Sequence, residues 1–303
     1  MFSPSSRWVL AGALLALSGC AGEEAESGHL VGGLSTDLAV GFELRRVELR
    51  VSVDGELSVT KSLSYSSGAL VVPGELSLPG FADGAEVELA VDAFHDKEAS
   101  PFLTRSAATV VSSSRTVLLP VFLEEACVGV ECASGETCVE GACQDPFVDP
   151  SKLAEYTPDW KLSVRDGCKT PPSDSPSLTI GKGLDAYGEL AEDEVVAIEP
   201  GPQGGHHVWL AMRAKGLRQM GSVLRTNGSY PDLGSELGES TSILTLRKAG
   251  EGECEIWGIR YQVDRALPVE DVRGQALDIE ISLEDPDGDK AVATKRVVIA
   301  DSP

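Results

Sequence analysis

The chain has 303 residues, with 48 acidic side chains against 25 Lys and Arg, a formal charge of −23 and 7 cysteines. A balance this acidic argues against nucleic acid and against docking on anionic lipid, because the phosphates would be repelled. A hydrophobic content of 42% argues against wholesale disorder. The length suggests two domains, since one core rarely grows past about 250 residues, and 32 Gly with 17 Pro favour turn-rich β architecture over helical bundles.

Arg7 precedes an apolar run from Trp8 to Leu17. The run is too short for a bilayer span, which needs ~20 residues, but suits the apolar stretch of a signal peptide. It ends in Leu17-Ser18-Gly19-Cys20, which resembles the lipobox of bacterial lipoproteins. The resemblance implies a signal peptide over residues 1–19, cleavage before Cys20, and acylation of Cys20 with a diacylglycerol and palmitate-type chains. The competing reading is an ordinary signal peptide with a chance cysteine. Two or three acyl chains at ~0.8 kcal/mol per buried methylene give stable anchoring. Residue 21 is Ala where many inner-membrane lipoproteins carry Asp, so the resemblance favours the outer membrane of a bacterial cell envelope. Residues 20–33 lack any apolar period and are expected to form a flexible acidic tether.

Residues 34–123 show a period of two. Val47, Leu49, Val51 and Val53 alternate with Glu48, Arg50 and Ser52, as along a half-buried strand, after a bulge near Arg45-Arg46. Asp54-Gly55 is a hairpin turn leading to Leu57, Val59 and Lys61. Val87, Leu89, Val91 and Ala93 alternate again, and Leu70–Val72, Phe102–Val110 and Arg115–Phe122 complete six or seven short strands. That spacing predicts a β-sandwich. Leu78 to Phe94 resembles an immunoglobulin or fibronectin type III domain, which implies an Ig-like fold and no chemistry.

Residues 124–150 hold Cys127, Cys132, Cys138 and Cys143, spaced C-x4-C-x5-C-x4-C. Structural zinc prefers closer pairs, and an exported chain favours disulfides. The segment resembles the small EGF-like or Dickkopf-like cysteine-rich modules of exported proteins, with fewer cysteines than a full EGF module. Spacing admits three connectivities; the interlaced one, Cys127 to Cys138 and Cys132 to Cys143, is the expectation carried forward. Asp145 to Pro150 reads as a stiff, extended linker, so the segment is expected to be a disulfide-rich hinge.

Residues 151–303 return to β patterning, with strands expected at Glu194–Ile198, His206–Ala214, Ser242–Arg247, Cys254–Val263, Ala276–Leu283 and Val292–Ile299. A second sandwich follows, making the chain all-β. Lys152–Tyr156 is the best short helix. Cys168 and Cys254 remain as the third pair, closing a loop worth several kcal/mol in the chain-entropy model.

Few residues offer chemistry. Neighbouring residues of a strand point to opposite faces, so His206 and His207 cannot together chelate one metal; ordinary strand histidines are the plainer reading, and the glycines before them serve to turn the chain and place Trp209. Trp160, Trp209 and Trp257 offer stacking faces for a ligand, against the plainer reading of core packing. Asp285, Asp287 and Asp289 form a turn able to give Ca²⁺ two or three carboxylates, against the plainer reading of a polar hairpin turn. No nucleophile elbow, zinc-protease helix, phosphate-binding loop or dinucleotide fingerprint occurs. The expectation is a non-enzymatic, envelope-anchored lipoprotein acting through protein or glycan contacts of its sandwiches. A ligand- or cation-binding receptor using the loops of the second domain is the alternative, and a hydrolase with unidentified residues the third reading.

Overall fold

The structure, a computed structural model, describes residues 27–301 apart from 77, 96, 171–174, 202–203 and 251. The signal peptide, Cys20, residues 21–26 of the acidic tether and the Pro202-Gln203 pair therefore lie outside the described residues. No described helix is long and apolar enough to cross a membrane.

The first sandwich contains β1 (Leu30–Thr36), β2 (Arg46–Val53), β3 (Glu56–Ser64), β4 (Gly74–Leu76), β5 (Glu86–Phe94), β6 (Leu103–Val110) and β7 (Val117–Leu123). One sheet has the order β3-β2-β5-β6 and the other β4-β1-β7, with β1 and β7 parallel. The architecture is the expected sandwich. Its strand order differs from the A-B-E-D and C-F-G arrangement of immunoglobulin constant domains. Period-two alternation turns Val47, Leu49, Val51, Val87, Leu89 and Val91 into the core between the sheets. Asp54 and Gly55 both have positive φ, as a two-residue turn of matching twist requires. Two local expectations change. The bulge expected near Arg45-Arg46 falls between Val51 and Ser52, after a tight turn at Ala39–Leu44 whose Ala39 carbonyl accepts the amides of Phe42, Glu43 and Leu44. Strand β1 starts at Leu30, inside the stretch read as tether, because Leu30 and Leu34 join the core.

The cysteine-rich segment forms a hairpin of β8 (Thr137–Val139) and β9 (Ala142–Gln144). Its disulfides are Cys127–Cys138 and Cys132–Cys143, the interlaced pairing. The segment packs on the first sandwich instead of swinging free as a hinge. Cys127 and Cys138 are buried in the first core, and Thr137 Oγ1 accepts from the Ser106 amide at 2.9 Å. The following residues run along the same body: Val148 donates to the Ala108 carbonyl, Leu118 to that of Ala154, and Tyr156 to that of Thr116. β6 and β7 are sheet edges whose backbone groups need partners, and this stretch supplies them. The Lys152–Tyr156 helix is accordingly absent, with short 3₁₀ turns at Pro150–Lys152 and Pro158–Ser163 on either side.

The second sandwich contains β10 (Ser177–Lys182), β11 (Glu194–Val196), β12 (Glu199–Pro200), β13 (His206–Lys215), β14 (Met220–Tyr230), β15 (Ser240–Thr245), β16 (Arg247–Gly250), β17 (Glu253–Gln262), the one-turn α1 (Val269–Val272), β18 (Ala276–Glu284) and β19 (Lys290–Ile299). One sheet runs β10-β13-β17-β16 with β12 also on β13; the other runs β11-β19-β18-β14-β15. Cys168–Cys254 closes onto this core.

The two sandwiches touch directly. Gln219, 1% exposed, donates from Nε2 to the Leu38 carbonyl at 2.9 Å and accepts the Val40 amide on Oε1. A Cβ on Gly167 would stand 2.2 Å from Gln219 Nε2, so only glycine admits this contact. Lys248 pairs with Glu125, and Tyr65 Oη donates to Thr245 Oγ1 at 3.1 Å.

Candidate ligand-binding site

The end of the second sandwich farthest from this junction gathers three of the residues singled out in the sequence. Val208 and Leu210 are buried in the core, so alternation along β13 turns His207 and Trp209 to the outer face. There His207 lies opposite Glu199 on β12 and Gln262 on β17, while Trp209 lies opposite Arg260. Trp209 Nε1 donates to Glu199 Oε2 at 2.8 Å, and the Arg260 guanidinium sits 5.3 Å from the ring centroid, within cation–π range. The His207 ring meets that of Trp209 edge-on, with centroids 4.6 Å apart.

Glycines roof this corner. Gly204 and Gly205 both have positive φ, and a Cβ on Gly205 would stand 2.8 Å from Gln262 Nε2. Beneath them is a cavity of 240 Å³ lined by Gly201, His206, His207, Arg260 and Gln262. His207 is 6% exposed, and its Nε2 is buried without a hydrogen-bond partner among the described residues. Leaving such an atom unpaired costs about 1–3 kcal/mol. His206 points the other way, as strand geometry requires. Its Nδ1 lies 2.9 Å from Asp264 Oδ2. Burial pushes the Asp264 carboxyl up, but hydrogen bonds from His206 and Gln262 outweigh it and leave the group below its ordinary value.

The other two tryptophans are elsewhere, so the three form no common platform. Trp160 is buried against the first sandwich. A Cβ on Gly33 would stand 2.9 Å from its ring, and its Nε1 donates to Glu75 at 3.3 Å. Trp257 faces outward because β17 carries an extra residue: Leu210 pairs with Ile259 but Met212 with Ile256. Gly258 absorbs this bulge at φ +70°. The Trp257 ring lies 4.8 Å from the Arg247 guanidinium, which also sits 4.5 Å over Phe42 of the first sandwich. Neither Trp209 nor Trp257 belongs to the core.

Asp285, Asp287 and Asp289 do converge, with one ligand oxygen of each within 4.8 Å of the others. The Lys169 ammonium, unremarked in the sequence, sits among them. It donates to Asp285 at 3.2 Å, to Asp287 at 2.9 Å, and to Asp289. Arg218, 1% exposed, donates from Nε to Asp287 at 2.7 Å and from Nη1 to the Val164 carbonyl at 2.8 Å. Asp166 accepts three backbone amides, from Cys168, Lys169 and Gln219; burial nonetheless keeps its carboxyl above its ordinary value. A charge that Ca²⁺ would bring is thus already present as Lys169, and Ca²⁺ would have to displace it.

No protein-family model matches this chain, and no curated protein is similar to it in sequence.

Proposed function

We propose that the chain is an exported, non-enzymatic lipoprotein, anchored through Cys20 in a bacterial outer membrane, which holds a protein or glycan partner through the far loop end of its second sandwich. The observation that carries the reading is His207: a buried imidazole whose Nε2 has no partner among the described residues, under a glycine roof, sharing a face with Trp209. A ring of this kind beside Trp209, Glu199 and Arg260 offers an apolar stacking face flanked by donors and acceptors, the mixture that a sugar or a peptide side chain needs. The compact cysteine-rich module and the closed Lys169 cluster support a scaffold held stiffly against the membrane.

Two measurements test this. Metabolic labelling with a fatty-acid probe should tag the protein, and Cys20→Ser should release it from the membrane fraction; an unlabelled, freely soluble wild type would sink the anchor. Affinity capture of envelope glycans and proteins on the intact lipoprotein should yield a partner lost in Trp209→Ala and kept in Trp160→Phe. A partner indifferent to Trp209→Ala would move the site elsewhere.

A further inference from the structure

Arg165, Arg247 and Arg260 make no ion pair or hydrogen bond within the described residues. In a chain with 48 acidic side chains to 25 basic ones, a guanidinium left without a carboxylate is unexpected. Arg260 belongs to the hollow described above. The other two, Arg165 and Arg247, line one cavity of 510 Å³ at the junction of the sandwiches, together with Phe42 and Lys248.

Arg247 is held in a specific way. Phe42 from one sandwich and Trp257 from the other lie within 4.8 Å of its guanidinium carbon. Contacts with aromatic faces occupy a guanidinium's flat sides and leave its N–H edges for ligands in its own plane. Those N–H groups find no acceptor in the described chain, and Arg165 beside them is exposed. The acidic groups around the same cavity each have a donor: Asp37 accepts the Glu125 amide at 2.7 Å, Glu43 the Ala39 amide at 3.0 Å, Asp166 the amides of Cys168, Lys169 and Gln219, and Glu125 pairs with Lys248. Arg165 and Arg247 are the lining cations left without an acceptor among the described residues.

We infer that the cavity between the sandwiches is a second binding site, which takes an oxyanion-bearing ligand through the forked donors of Arg247 and Arg165. A planar carboxylate or a phosphate group matches that fork, where a neutral ligand does not. The site lies at the opposite end of the second sandwich from His207 and stands independently of the partner proposed there.

The experiment titrates the detergent-solubilised full-length protein with an oligouronate, with inorganic phosphate, and with a neutral oligosaccharide of equal length, following tryptophan fluorescence and calorimetric heat. At least one anion should bind saturably, and the neutral sugar should not; which anion binds separates carboxylate polymers from phosphate groups as the natural source. Arg165→Ala, which removes an exposed side chain without partners among the described residues, should weaken binding about tenfold. Arg247→Lys, which keeps the charge but loses the fork, should weaken it severalfold, while Arg260→Ala and Trp209→Ala leave it unchanged. No binding of either anion in the millimolar range, or binding indifferent to both Arg165→Ala and Arg247→Lys, overturns the site. Loss on Trp209→Ala alone would transfer the anion to the far hollow.

Discussion

The two ends of the second sandwich treat buried polar groups in opposite ways. At the junction end, Asp166, Lys169, Arg218 and the three aspartates after β18 satisfy one another and the nearby backbone: Asp285 alone accepts from the amides of Arg218, Asp287 and Asp289. At the far end, among the described residues, the buried Nε2 of His207 finds no partner and Arg260 faces the Trp209 ring without an ion pair or hydrogen bond. A buried polar network that is complete fixes a structure. An incomplete one beside a cavity costs stability and gains something only when a ligand completes it. The contrast fits the first cluster to a role in the fold and the second to the binding role proposed above.

The largest effect that can break this comparison is at Lys169. Removing one member of a buried ion cluster leaves its partners uncompensated, at about 3–5 kcal/mol. Lys169→Met should therefore lower stability by that amount in a denaturant titration. Calcium should leave the wild-type melting temperature unchanged and raise that of Lys169→Met, where the trio of carboxylates is opened. A wild-type calcium shift that vanishes in Asp287→Ala would return the cluster to metal binding.

Acid tests the same cluster less severely. Burial pushes the Asp287 carboxyl up, but Lys169 and Arg218 prevail and hold it below its ordinary value. A carboxyl lowered in the folded state stabilises it above the unfolded pKa, ~3.9, and that contribution is lost as pH falls through the folded value. Asp166, held up by burial, works in the opposite direction as a single group. The wild-type melting temperature should fall below about pH 4. Asp287→Asn should melt lower at neutral pH and lose less on acidification. An acid profile identical to wild type would show that Asp287 does not share in the network.

Much of this was readable in the chain, and the failures have physical causes. Alternation located β2, β5, β13, β17, β18 and β19, because each buries one apolar face. Strand β14 was missed. Of its inward positions Ser222, Leu224, Thr226, Gly228 and Tyr230, three are small or polar and break the apolar period, and at Gly228 Tyr261 crosses: a Cβ there would stand 2.0 Å from the Tyr261 hydroxyl, which donates to the Asn227 carbonyl. The stretch after the cysteines read as a linker because its pairing is with sheet edges far away in sequence, which no local period reveals. The disulfide pairing was anticipated, and so was the divergence of His206 from His207. Lys169 among the aspartates was not, since 116 residues separate it from Asp285. A lone lysine in a polar loop carries no signal of burial.

The smallest expected change in stability belongs to the far hollow, and its sign is what matters. His207→Phe keeps a flat ring against Trp209 and removes the unpaired Nε2 together with its desolvation cost. Gly201 leaves room, since even a Cβ there would stand 3.8 Å from the His207 ring. Replacing an unsatisfied buried polar group by an apolar one of similar shape is nearly neutral or stabilising, so the variant should match or exceed the wild type by up to about 1 kcal/mol while losing its captured partner. Gain of stability with loss of binding is the pattern expected where a site holds groups ready for a ligand. If His207→Phe instead unfolds as readily as Lys169→Met, the imidazole is holding the β12–β13 corner together, and the two ends of the sandwich differ less than their hydrogen bonds imply.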